Sequence, residues 1–350
     1  MKIVVLTGGV SSERNMSLYS AYNICSSLRR LGHEANILDL FFGIDSERVD
    51  GFFKEDNNLE KEIKLLKNRT SEVNDEVIRR QEGKLGIFGE NVIDICRKAD
   101  LVFMSVNGKV GEDGHIQAVF DLLDVKYTGS SQMSCLLSLD KYLTKKVLVP
   151  EGILMPKGFM LKKGHKAEYV PYPCVVKPCS TGSSIGVSLV NNDEELTRAI
   201  QDAFSFDNRI IVEEYIEGRE FSVGILDGKA LPVMEIRPKD GFNNYKSKWD
   251  PDMESEKICP ANLDKDTARK MQRLVEKACD ILDMDIYAKA DLIMSDEGEI
   301  YLLEINSLPN MLDTSVYPNM TAADDIYYDQ LIDIIIKKAR YYIGHNNGQN

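Results

Sequence analysis

Residues 287–306, YAKADLIMSDEGEIYLLEIN, leave the fold little choice. Two apolar runs flank the turn-forming SDEG, so the segment reads as an antiparallel hairpin with a four-residue loop at 296–299. Pairing outward from that loop puts Asp291 opposite Glu304. Side chains two apart on a strand share a face, so Asn306 joins them. Like charges facing each other destabilise a sheet, and a buried unpaired carboxylate is expensive. Either this strand end is solvated with a Lys or Arg nearby, or a metal ion stands against it. Hard oxygen donors suit Mg²⁺, which takes one or two carboxylates and completes its octahedron with water and phosphate. The hairpin alone leaves both open.

The chain has 350 residues, a length for two or three packed domains. Its net charge is −13, which argues against broad nucleic-acid binding but leaves room for a local basic pocket. No apolar run reaches the roughly 18–20 residues of a membrane span, and the apolar start MKIVVLTGG is too short for a signal peptide. The cysteines number seven and are scattered with no CxxC. That pattern predicts a reduced cytoplasm with most thiols as small core residues. The histidines are equally scattered, which argues against a zinc site.

Along the chain, KIVVLTGG is a strand entering a Gly-Gly loop, residues 17–31 form an amphipathic helix stopped by Gly32, and EANILDL is the next strand. This opens an α/β layered domain over 1–130. Residues 43–90 are charged and weakly periodic. They read as a surface insertion with helical pieces at 59–67 and 74–81, presenting a solvated face. ADLVFMSVNG is a buried strand, HIQAVFDLLD a helix, and SLDKYLTKKVLV a helix ended by Pro150. A smaller domain spans 131–235 and a third 236–344. The latter holds a long loop (238–260), a helix (264–282), the hairpin and a closing helix (323–341). The tail, 345–350, is expected to be disordered.

The stretch VVKPCSTGSSIGVS delivers Lys177 from an apolar strand into a loop of small residues. Its N–H groups and hydroxyls, including Ser184, can wrap a phosphate while Lys177 adds charge. No GK[ST] and helix follow, so this is no Walker A loop. By itself it reads equally well as a flexible hairpin loop. Cys179 within it is a small filler, not a nucleophile.

Taken in order, GGVSSERNMSL, GKVGEDGHIQ, YTGSS, LDK, VVKP…GSSIGVS, VEEYIEGREFSV, YLLEINSLPNM and TSVYP resemble the ATP-grasp superfamily. Within it they are similar to the D-alanine–D-alanine ligases, over nearly the whole chain. The resemblance implies a three-domain ATP-grasp fold (α/β, α+β) with an N-terminal parallel-sheet domain. It implies ligation of D-Ala to D-Ala with ATP through an acyl phosphate, for peptidoglycan precursors. Lys141, Lys177 and Ser184 would hold ATP phosphates. Glu213 and the backbone of Glu214, Tyr215 and Ile216 would face adenine, Glu220 the ribose, and Lys248 the γ-phosphate. Asp291, Glu304 and Asn306 would hold two Mg²⁺ ions, for which Mn²⁺ can substitute. Glu13 would take the first substrate's ammonium, with Ser183 in the same network, and Ser315 the second substrate's carboxylate. A cytoplasmic homodimer with small-molecule partners, without nucleic acid or membrane, is implied.

Departures from the family pattern cluster at the substrates. Asn107 replaces a histidine in NGKVGEDG, so it cannot carry charge there. Lys289 replaces an arginine beside the transferring phosphate, losing the planar fork. Asn310 replaces a glycine, and Asn tolerates left-handed backbone. Trp249 replaces a tyrosine whose hydroxyl would link its loop to Ser183 and Glu13. Two readings stay open: a ligase with another second substrate, such as D-Ser or D-lactate, or neutral drift in an ordinary D-Ala–D-Ala ligase. A generic ATP-grasp carboxylate–amine ligase and a non-catalytic nucleotide-binding protein are the remaining alternatives.

Overall fold

The structure is a computed structural model and describes residues 1–54, 58–73, 77, 86–165, 171–182, 184–238 and 255–339. Three sheets organise it. Strands β1 (Lys2–Thr7), β2 (Glu34–Asp39) and β3 (Leu101–Ser105) form the first, in the order β2-β1-β3. All pairs are parallel. Parallel strands are covered on both faces and so read as continuous apolar runs; here every residue of β3, and all but the first of β1 and β2, is buried. The helix Arg14–Arg30 packs beside this sheet, ending before Gly32 at φ +82.

The second sheet holds β4 (Gly158–Lys162), β5 (Cys174–Pro178), β6 (Ser188–Val190) and β7 (Arg209–Glu214) in the order β4-β7-β5-β6. The helix Asp193–Phe206 covers it, its N-terminus capped by the Asn192 side chain accepting from Glu195 N–H. The third contains β8 (Gly218–Leu226), β9 (Lys229–Ala230), β10 (Met234–Arg237), β11 (Glu256–Ile258), β12 (Tyr287–Ser295) and β13 (Ile300–Asn306). The expected boundary at 235 falls inside this sheet. β8 pairs with both β10 and β12, so the change of sheet comes between Glu214 and Gly218.

Other expectations shift locally. The stretch around Asp140 is two helices, Gln132–Leu139 and Lys141–Leu148, because the Asp140 carboxylate caps the second by accepting from Tyr142 and Leu143 N–H. The closing helix expected over 323–341 begins at Tyr328 and runs to Lys337, and a separate short helix, Val316–Ala322, precedes it. The 43–90 region is not a solvated face throughout. The helix Leu59–Asn68 buries Leu59 and Ile63 in the same core as Phe52, against the helix Arg14–Arg30. Of the expected helix at 74–81 only residue 77 is described, and the 345–350 tail lies outside the described residues.

Three apolar clusters follow the sheets, and the first reaches beyond its own: Leu308, Tyr317 and Leu331 join the core built around β1. The third sheet's neighbours are thereby fastened to the N-terminal unit, with Arg30 and Asp329 paired at 2.6 Å across the surface.

Candidate active site

A cavity of about 920 Å³ lies where the three sheets meet. Glu13 and Asn107 reach it from the N-terminal unit, Lys177 and Glu213 from the second sheet, Glu220, Asp291 and Glu304 from the third. Most of the expected site residues that are described line it: Lys141, Ser184, Glu214, Tyr215, Ile216, Lys289, Asn306, Asn310 and Ser315 as well. Ser183, Lys248 and Trp249 lie outside the described residues.

The third sheet sets the floor. Antiparallel pairing aligns Ser222, Asp291 and Glu304 in one row, and Gly224, Lys289 and Asn306 in the next. The loop that produces this is not the expected one. Ser295 N–H donates to Glu299 O across a three-residue loop, with Gly298 at φ +86. That register pairs Leu292 with Leu302; a bulge beyond Leu302 then restores Asp291 opposite Glu304. Leu302 and Ile305 therefore enter the core while Glu304 and Asn306 reach the cavity.

Each carboxylate of the pair has an ammonium beside it. Lys289 Nζ donates to both Asp291 oxygens at 2.5 and 2.6 Å, and Ser222 Oγ donates to Oδ1 at 2.6 Å. Lys141 Nζ lies 3.1 Å from Glu304 Oε2 and donates to Thr181 O at 2.7 Å. Asn306 Oδ1 accepts from Leu308 N–H at 2.8 Å. Two carboxylates and an amide oxygen on one face are a hard donor set, and the paired ammoniums mark where positive charge is demanded; these residues fit a divalent cation. Among the described residues, no group of three or more His, Cys, Asp and Glu side chains is arranged as a metal site.

Facing this floor, Glu213 is buried between two lysines. Lys177 Nζ lies 2.5 Å from Oε2, and Lys145 Nζ donates to Oε1 and to Pro156 O. Burial opposes ionisation of Glu213, but the Lys177 and Lys145 charges outweigh it and hold the carboxyl below its usual range. Burial likewise pulls the Lys145 ammonium below its ordinary value, against the pull of Glu213. With both oxygens engaged, the Glu213 carboxylate acts as a clamp on Lys177. Glu214 Oε1 is occupied too, accepting from Lys157 N–H at 2.7 Å.

The small-residue loop folds over the cavity edge. Ile185 N–H donates to Gly182 O, Val187 N–H to Ser184 O, and Ser180 N–H and Oγ to Asp207. Ser184 takes φ +58 to make the turn. The Glu13 carboxylate lies close to this loop and to Gly108: an added Cβ would come 3.6 Å from Glu13 Oε2 at Gly182 and 2.9 Å at Gly108. Cys179 is fully buried, and burial pushes its thiol up to about 12, which suits a filler.

The departing residues are built into this wall. Asn107 Nδ2 donates to Leu308 O at 3.0 Å, and Asn107 N–H to Ser17 Oγ at 2.8 Å. Asn310 does not adopt positive φ, so this turn requires no glycine. Three residues escape the sequence reading: Lys145, Glu112 and Ser222. Glu112 is buried, accepts from Gly108 N–H at 2.9 Å, and is pushed up to about 8 by burial first and the Glu13 charge next. Its signal was its place between glycines in VGEDG; Ser222 was legible only through the register with Asp291.

Comparison with known proteins follows the same outline. The family model described as D-ala D-ala ligase N-terminus matches residues 2–130, and D-ala D-ala ligase C-terminus matches 154–337. A D-alanine–D-alanine ligase of Pediococcus pentosaceus is 37% identical, covering 98% of this chain and 99% of the relative. That of Lacticaseibacillus casei is 38% identical, covering 98% and 97%. Among solved structures, a D-alanine–D-alanine ligase from Bacillus anthracis complexed with ATP superposes with TM-score 0.73 at 25% identity, covering 96% of each chain. The VanG D-Ala:D-Ser ligase from Enterococcus faecalis does so with TM-score 0.73 at 25% identity, covering 96% of this chain and 98% of that one.

Proposed function

The chain belongs to the D-alanine–D-alanine ligase family: it is an ATP-dependent ligase that joins D-Ala to D-Ala for peptidoglycan, and we propose that the cavity between its sheets is where it does so. One observation carries the assignment. Lysines, the Glu220 carboxylate, the carboxylate pair and the N-terminal Glu13 come from different units of the fold and face one another across a single space. Lys141 and Lys177 hold the ATP phosphates there, with the small-residue loop around Ser184. The segment 214–216 receives adenine and Glu220 the ribose hydroxyls, for which a carboxylate is a double acceptor. Glu13 binds the ammonium of the first D-alanine.

Asp291, Glu304 and Asn306 would hold Mg²⁺, which when bound offsets charge on the phosphate oxygens. The protein's own residues orient the reactants. Lys177, held rigid by Glu213, and Lys289, on the floor, supply fixed positive charge to the oxygens that accumulate electrons. The first carboxylate attacks the γ-phosphorus and ADP leaves; the second substrate's amine, losing its proton, attacks the acyl carbon and expels phosphate. Water must stay out while the acyl phosphate waits, and the loops at the cavity edge serve that end.

Seven free cysteines, with none of the described helices long and apolar enough to cross a membrane, support a cytoplasmic setting. A homodimer through the N-terminal unit is the assembly we expect. The amide side chains at 107 and 310 favour a second reading, with D-Ser or D-lactate as the second substrate. Phosphate release from Mg·ATP with D-Ala alone, and with D-Ala plus D-Ser or D-lactate, with products identified by mass, tests both. D-Ala–D-Ala from D-Ala alone is the expected result. Release only with another partner transfers the assignment to that partner, and no release with any pair sinks the ligase reading.

A further inference from the structure

Asn310 holds a hydrogen-bond junction that decides what the second substrate meets. Its Oδ1 accepts from Leu312 N–H at 2.8 Å, from Ser315 Oγ at 3.0 Å and from Ser20 Oγ at 3.1 Å. A backbone N–H can only donate, so the atom facing Leu312 is the amide oxygen and the other end of the side chain is the NH₂. That Nδ2 finds no acceptor among the described residues and is not sealed from solvent. Asn310 is partly exposed and lines the cavity beside Pro309, Thr314 and Ser315.

The junction changes the chemistry of Ser315. A hydroxyl has one proton to donate, and Ser315 spends it on Asn310 Oδ1. It does not use the hydroxyl to cap the helix Val316–Ala322 that it precedes. What Ser315 turns to the cavity is therefore lone pairs, which repel a carboxylate. The Asn310 NH₂ is among the donors left at this wall. The amide cannot swing freely, because Ser20, on the helix Arg14–Arg30, and Leu312 hold the oxygen from opposite elements.

We propose that Asn310 is the specificity-determining residue for the second substrate, its Nδ2 donating to that substrate's carboxylate in place of the Ser315 hydroxyl. This rests on the ligase reading given above. A charge-assisted hydrogen bond from a fixed donor is directional, so an acceptor lacking the carboxylate should gain little from it. The side chain also narrows the space beside the carboxylate, where glycine would leave it open.

The test sets two acceptors in competition. The full-length enzyme is given Mg·ATP, D-Ala and D-alaninamide, and the ratio of D-Ala–D-Ala to D-Ala–D-alaninamide is read by mass spectrometry. The ratio reports relative kcat/KM at the second site and is independent of how much enzyme is folded. In Asn310→Asp, which keeps the acceptor and replaces the NH₂ by an anion, the ratio should fall about tenfold to a hundredfold, the worth of a hydrogen bond to a charged group. Asn310→Ala should move it the same way, and Ser315→Ala by less. A ratio unchanged in an active Asn310 variant, or one that falls further in Ser315→Ala, overturns the proposal. Failure of the wild type to form D-Ala–D-Ala would instead remove D-Ala as the second substrate, and this inference with it.

Discussion

Glu112 must ionise at a position where burial first, and the Glu13 and Glu304 charges after it, oppose a negative charge; the Gly108 N–H offsets only part. Its acid is pushed from 4.5 to about 8. Because the folded value is above the unfolded one, the stability this group contributes is fully present below about 4.5 and is lost as pH rises through about 8. Glu112→Gln keeps an acceptor for Gly108 and cannot ionise. Its melting temperature should exceed that of the wild type at pH 9 by at least a few degrees, with the advantage shrinking toward pH 5. A gap that stays constant across that range, in paired thermal melts, would rule the account out. Glu112 also shows where reading residues in order stops. Lys177 announced itself at a strand end before a small-residue loop, but Lys145 sits mid-helix, and nothing local says that it shares Glu213 with Lys177. Such a partnership is made by the packing of the helix Lys141–Leu148 near β7, not by spacing along either.

In the β12–β13 hairpin, the turn and the bulge do separate jobs. The turn sets a register that would carry Leu303 opposite Asp291, and the bulge brings Glu304 there instead. Gly298 holds φ +86 with nothing within 4 Å of an added Cβ, so replacing it is a question of backbone strain alone. Gly298→Ala should destabilise the protein by about 1 kcal/mol in urea unfolding. Its kcat should hold, since the bulge and not the turn faces the carboxylates. A large fall in kcat at unchanged stability would mean that the turn sets the site. The pairing of Asp291 with Glu304 was legible because alternation and a turn signal are local. The bulge was not, since a four-residue loop without a bulge and a three-residue loop with one bring the same two residues opposite each other. Burial of Leu302 in the apolar cluster that includes Met271 and Val275 selects between them.

Across the whole molecule, one cavity draws residues from the N-terminal unit and from the second and third sheets, so a ligand that fills it ties the units together. ATP with Mg²⁺ at a hundred times its Kd should stabilise the fold by about 2.7 kcal/mol, seen as a higher melting temperature. Chelating the metal while ATP stays should remove most of that gain, because Asp291 and Glu304 would then face the phosphates without a cation between them. Equal melting with and without chelator would count against the metal assignment. The sequence by itself determined the α/β start of the N-terminal unit, the late hairpin with its acidic pair, the small-residue loop and, through motifs in a fixed order, the family, because periodicity, glycine placement and short motifs act within a few residues. Only the tertiary structure decided that β8 belongs with β12, that Glu213 clamps two lysines, and that Asn310 takes the Ser315 proton. The first two join segments far apart in the chain, and the third is a local bond whose acceptor is held in place by Ser20 from the distant helix Arg14–Arg30; what selects them is the burial of apolar faces and the pairing of buried polar groups, neither of which exists until the chain is folded.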